Sequence, residues 1–183
     1  MILNPLFLSI YGFFIIAYKA NLEINNPSKD FGISAFFIAF LPLITVYILM
    51  KNKMLSDVYA SDQFERKKVM IFGVVYCFLG FISLKTLNSH SLIAGQMFCS
   101  FLNAMILWII TYFWKISIHS TGISSIFSML ILINHYNIPL MFLLVFCVSL
   151  SRIVLKAHTP LQIIAGLIIG FIFTAIPLKL FFI

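Results

Sequence analysis

Acidic side chains are scarce in this sequence. Five Asp and Glu stand against twelve Lys and Arg, a net charge of +7, and charged residues of every kind make up only 9% of the 183 positions. With 62% hydrophobic residues and a mean hydropathy of +1.10, the chain carries more apolar surface than a water-soluble domain of this length can bury, so a soluble enzyme is excluded. Cysteine is also sparse. Cys77, Cys99 and Cys147 stand singly inside apolar runs, which excludes a disulfide framework or a cysteine metal site and leaves them as packing residues. There is no internal repeat and no low-complexity tract. The basic residues sit in short connections and form no long basic face, so nucleic acid is not the expected partner. Phosphorylated lipid is the acidic partner that remains, with membrane lipids around it.

What is present is a series of apolar runs. A spanning helix needs roughly 20 apolar residues, and seven segments approach that measure: Pro5–Tyr18, Ser34–Met50, Val69–Leu84, Ser91–Trp114, Ser117–Asn134, Ile138–Leu155 and Pro160–Phe182. The expected fold is an all-α polytopic bundle of six or seven segments, forming one integral membrane domain over residues 1–183. The first run lacks the basic flank and small-residue cleavage site of a secretory signal, so it is expected to stay as a helix, short enough to be tilted or re-entrant. Two connections are polar, 19–33 and 51–68.

Ionisable groups at the edges of such segments are costly and mark candidate sites. Three clusters stand out: Asp62-Gln-Phe-Glu-Arg-Lys-Lys68, Lys115-Ile-Ser-Ile-His119, and Arg152 with His158. If every segment spans, the chain alternates sides and all three fall at one face. Arg66, Lys115 and Arg152 then describe an anion pocket, because a guanidinium presents a planar fork to phosphate oxygens. His119 and His158 titrate near neutral pH, so two such groups flanking a phosphate can share nucleophile and general-acid roles. The start of the fifth segment adds unpaired backbone N–H groups and a helix dipole.

At these residues the sequence resembles a known family. Lys115-Ile-Ser117-Ile-His119 and Ser151-Arg152-x5-His158-x3-Gln162 are similar to the second and third motifs, PSGH and SRx5Hx3D, of the type-2 phosphatidic acid phosphatases, the superfamily of the lipid phosphate phosphatases and vanadium haloperoxidases. Flanks at Asn4-Pro-Leu-Phe-Leu-Ser-Ile-Tyr-Gly12 and His158-Thr-Pro-Leu-Gln-Ile-Ile-Ala-Gly166 resemble a bacterial membrane branch. The resemblance implies a membrane phosphatase acting on a lipid monophosphate or diphosphate through a phosphohistidine, with no metal or cofactor. It implies His158 as nucleophile, His119 as acid for the leaving group, Gln162 at the position that orients the nucleophile, and Arg152, Ser117 and Arg66 as phosphate ligands; Lys115, outside the family motif, is a candidate for the positive charge that the first motif lacks here. Departures from the family pattern include Tyr59 and Lys67 where the first motif, Kx6RP, has lysine and proline, Ile118 for glycine, and Gln162 for aspartate.

Bland readings stand beside these. Arg152 and Lys156 can snorkel to the interface, Asp62 and Arg66 can pair at i and i+4, His90 and His135 have no motif partner and suit an interface, and Trp108, Tyr112, Trp114 and Tyr136 suit an aromatic belt. Two function classes stay open: a lipid phosphate phosphatase, and a non-catalytic relative that keeps the cationic pocket to bind lipid phosphate or a membrane partner. A transporter would show Gly/Pro-broken segments in symmetric halves, which are missing. The expected location is a bacterial inner membrane. Basic residues do not fix the orientation: once Arg66, Lys115 and Arg152 are set aside for phosphate, five remain on one side and four on the other. The family resemblance favours an extracytoplasmic site.

Overall fold

The computed structural model of the chain describes residues 5–20, 22–57, 62–133 and 138–183. The readings at Asn4, Tyr59, His135 and Tyr136 lie outside them. The described residues form seven helices: α1 Pro5–Tyr18, α2 Pro27–Lys51, α3 Gln63–Thr86, α4 Ser91–Thr111, α5 Ile118–Leu132, α6 Ile138–Val154 and α7 Pro160–Phe181. No strand occurs among the described residues, and the all-helical expectation holds.

Two helices start earlier than the apolar runs suggest. Asn26 accepts the Lys29 N–H at 3.0 Å and Pro27 occupies the first turn, so α2 begins inside the expected polar connection. Asp62 accepts the Phe64 and Glu65 N–H groups at 2.8 and 3.1 Å and opens α3. Asp62 is therefore a helix cap, and its expected pairing with Arg66 does not form. In both cases a capping side chain, with proline in the α2 case, starts the helix before hydrophobicity begins.

α2, α3, α4 and α7 are long and apolar enough to cross a membrane, and α1, α5 and α6 are shorter apolar helices. At 1.5 Å per residue the 15 residues of α5 reach about 22 Å, short of a bilayer core of roughly 30 Å. Residues 112–117 replace a last turn of α4 and a first turn of α5 with a bend and an extended stretch. That stretch carries the second cluster.

The most intimate packing joins α5 and α7. Gly166 and Gly170, four apart, let α5 backbone approach so closely that a Cβ on Gly170 would lie 2.2 Å from the Thr121 carbonyl oxygen. Ser124 and Ser128 donate across the seam to the Leu167 and Phe171 carbonyls at 2.6 and 3.1 Å. Small residues and hydroxyl donors are how helices associate where lipid removes the hydrophobic drive. The remaining helices close around a core that includes Phe13, Ile16, Leu84, Ile93, Met97, Met129 and Leu178.

Helix α2 is irregular. A π-turn at Phe36–Phe40 precedes Pro42, and such turns bend a helix and free a carbonyl or two from the regular ladder. Its first half packs on α1 and α3, whereas Leu41–Lys51 leans on α3 alone among the described helices. At the far end of the bundle from the charged clusters, Lys29 Nζ donates to Leu87 O at 2.8 Å, and the buried Asp30 accepts the His90 N–H at 2.9 Å. His90 itself caps α4 by accepting the Leu92 N–H through Nδ1 at 3.2 Å.

Candidate active site

The third cluster is shaped by how α6 ends and α7 begins. Lys156 adopts φ 50°, a left-handed residue without being glycine, and turns the chain back so that the Ala157 and His158 N–H groups both meet the Arg152 carbonyl, at 3.0 and 3.4 Å. The six-residue step from Arg152 to His158 is the length of that turn. Thr159 then caps α7 with Pro160 at its first position, and its hydroxyl accepts the Gln162 N–H. The Gln162 side chain completes the capping box by accepting the Thr159 N–H through Oε1 at 3.1 Å.

The same Oε1 lies 3.2 Å from His158 Nδ1. A backbone N–H can only donate, so the atom facing Thr159 is the amide oxygen, and His158 Nδ1 must carry the proton that meets it. Nε2 of His158 keeps its lone pair. Gln162 thus does two things with one oxygen: it closes the start of α7 and sets the histidine tautomer.

The second cluster is tied to the third through backbone. Ser117 N–H meets the Gln162 carbonyl at 3.4 Å, and the seam glycine Gly166 sits against Ser117 O, 2.8 Å from where a Cβ would be. Ser117 is fully buried and caps α5, its oxygen accepting both the N–H and the hydroxyl of Ser120 at 3.3 and 2.8 Å. It serves the helix start and does not line the cavity described next. His119, in the first turn of α5, receives the Arg152 guanidinium, with Nη1 and Nε2 3.3 Å apart. Arginine can only donate, so His119 offers a lone pair there and holds its proton on Nδ1. Arg152 Nε also donates to Ser151 Oγ at 3.2 Å.

The first cluster contributes Arg66. It is buried, and its Nη2 donates to the Ile116 carbonyl at 2.7 Å, which pins the extended stretch leading to His119. Its Nε has no hydrogen-bond partner. Its neighbours face elsewhere: the Glu65 carboxylate accepts the Ser56 N–H and hydroxyl at 2.9 Å, and Lys67 lies 4.5 Å from the centre of the Tyr112 ring.

Arg66, Lys115, His119, Arg152 and His158 line one cavity of about 960 Å³. Three separate parts of the chain supply them. Burial, and then the positive charge of Arg66, push the His158 imidazole down to about 4, with Lys115 and Arg152 adding to the effect and the Gln162 bond opposing it. Its resting form is the neutral imidazole. A site with three cations and, among the described residues, no carboxylate in its lining is electrostatically incomplete, and an anion completes it. Among the described residues no cluster of three or more His, Cys, Asp or Glu could hold a metal ion.

Deeper in the cavity the walls turn polar without being charged. Gln96, Ser100 and Asn103 line it from α4, Thr121 and Ser125 from α5. Gln96 Nε2 donates to Ser125 Oγ at 3.2 Å, Thr174 donates to the same oxygen at 2.8 Å, and Asn103 Nδ2 donates to Thr174 Oγ1 at 3.0 Å. Attention to ionisable clusters passes over these residues. The available signal is spacing: Gln96, Ser100 and Asn103 fall at i, i+4 and i+7, one face of an otherwise apolar helix.

Comparison with curated proteins and with solved structures gives no match. Residues 111–182 match the family model described as the PAP2 superfamily. That span runs from the end of α4 to the end of α7 and contains Lys115, His119, Arg152, His158 and Gln162. The described residues form a membrane-type helical protein whose segment from Thr111 to Phe182, less than half of the chain, is similar to the PAP2 superfamily, whose members are generally phosphatases.

Proposed function

We propose that this protein hydrolyses a lipid phosphate, of the phosphatidate, phosphatidylglycerophosphate or polyprenyl phosphate class, through a phosphohistidine. The observation that carries the reading is the meeting of three cations and two histidines at one cavity whose remaining walls are largely apolar. Arg66, Lys115 and Arg152 bind the phosphoryl oxygens. His158, with its proton held on Nδ1 by Gln162, attacks phosphorus through Nε2 as the bond to the lipid oxygen breaks, and His119 gives a proton to the departing alcohol. Water then attacks the phosphohistidine, His119 takes its proton, and inorganic phosphate leaves.

The resting geometry sets an order. Arg152 donates to His119, so His119 cannot be the acid until the phosphate draws Arg152 away and favours the imidazolium. Substrate binding and proton uptake are coupled on this reading.

One observation favours the second reading, a relative that binds lipid phosphate without turning it over: the group against His158 is a neutral carboxamide, which fixes a tautomer but does not stabilise an imidazolium. Incubation of purified protein with lipid phosphates labelled at phosphorus separates the two. The enzyme reading expects phosphate release and an acid-labile label on the protein, both absent in His158→Ala, while His158→Ala still binds a lipid phosphonate. Binding without label or release in the parent protein would sustain the binding reading instead.

A further inference from the structure

The deep polar cluster is not needed for phosphate chemistry. Ser125 lies six residues along α5 from His119, about 9 Å from the charged end of the cavity. A cavity that held only hydrocarbon there would be lined by hydrocarbon, as the rest of this one is by Phe13, Ile38, Val69 and Leu107. Cross-helix bonding is one use for polar groups in a membrane bundle, and it gives the carboxamide nitrogens and the Thr174 hydroxyl their partners. It does not account for the oxygens. Gln96 Oε1 and Asn103 Oδ1 have no hydrogen-bond partner, and their residues are 3% and 5% exposed. Two acceptors left unpaired in such surroundings are costly unless a donor arrives.

The donor's chemistry follows. Lys, Arg and His are missing from this part of the lining, so the cluster has no complement for a second phosphate, and carboxamide oxygens without a carboxylate give little to a cation. We propose that Gln96, Asn103 and Ser125, with Thr174 bonded behind them, form a second, uncharged subsite that takes a hydroxyl carried on the lipid portion of the substrate, about 9 Å along the cavity from His119. This rests on the lipid phosphate reading above and narrows it. A substrate with such a hydroxyl satisfies the oxygens, whereas a plain hydrocarbon chain leaves them unpaired and is disfavoured.

The test uses purified full-length protein and a series of long-chain alkyl phosphates of one length, each with a single hydroxyl at a successive carbon, beside the unsubstituted compound. The expected result is a rise in kcat/KM of roughly tenfold at one or two adjacent positions. Gln96→Met and Asn103→Leu should flatten that rise. A flat profile in the parent, the result expected if water fills the cluster, overturns the subsite, as does a preference that survives both substitutions. If either variant fails to fold, the parent's profile decides alone. The matching alkyl phosphonates, read by thermal stabilisation, separate the two claims. Position-dependent stabilisation without any turnover would sink the phosphatase reading and keep the subsite, and neither turnover nor stabilisation would overturn both.

Discussion

Gln162 shows how a single residue can depart from a family pattern and still fit its place. Its oxygen must reach the Thr159 N–H as well as His158, and a capping box is built with Glu or Gln. Aspartate, one methylene shorter, gives up that reach; glutamate keeps it and adds the missing charge. Gln162→Glu is therefore expected to raise turnover by about tenfold, the scale of such supporting contacts, with thermal stability unchanged. Its signature is a shift in the pH profile. The neutral His158, held down to about 4, keeps its lone pair well below the usual histidine range, so the acid limb of kcat/KM in the parent should fall near pH 4. A carboxylate against Nδ1 stabilises the imidazolium and should move that limb upward. The sign for stability is the same: a histidine with a lowered folded-state pKa favours the native state above about 6.5, and that contribution is lost as pH falls toward 4. Parallel profiles in parent and variant would remove Gln162 from any orienting role.

Among elements, the turn between α6 and α7 and the seam between α5 and α7 place the site. Lys156 holds a left-handed conformation that costs a residue with a Cβ about 1–2 kcal/mol. Lys156→Gly should raise the melting temperature without loss of activity, and Lys156→Val should lower both, read by thermal unfolding in detergent and phosphate release. Gly170→Ala should cost about 1–3 kcal/mol, because its methyl group meets the Thr121 carbonyl. Much of this was legible in the sequence. The apolar runs led to these helices, and the spacing from Arg152 to His158 and from His158 to Gln162 marked residues that the fold brings to one cavity. The starts of α2 and α3 were not read, because Asn26 and Asp62 act through caps that hydropathy does not register. Ser117 was read as facing the phosphate, yet its oxygen is used by Ser120, a local competition between side chain and backbone invisible in a motif.

For the whole molecule, the two ends of the bundle carry different chemistry: Arg66, His119 and Arg152 gather at one, Lys29, Asp30 and His90 at the other. Single cysteines at Lys53 and Lys156 in a background without the native cysteines should react with an impermeant thiol reagent from one side of the membrane, and one at Lys85 from the opposite side. Labelling of Lys53 and Lys156 from opposite sides would break the shared site. Helix α2 bears on how that site is reached. Beyond its π-turn it leaves α1, and cavity-lining Phe7 and Leu43 on the two helices are 58% and 49% exposed on the outer face of the bundle. If the substrate is the lipid phosphate proposed above and enters beside α2, it never passes through water, and its concentration is counted per area of membrane. Diluting the substrate with inert lipid, at constant total amount in the tube, should then slow the reaction in proportion.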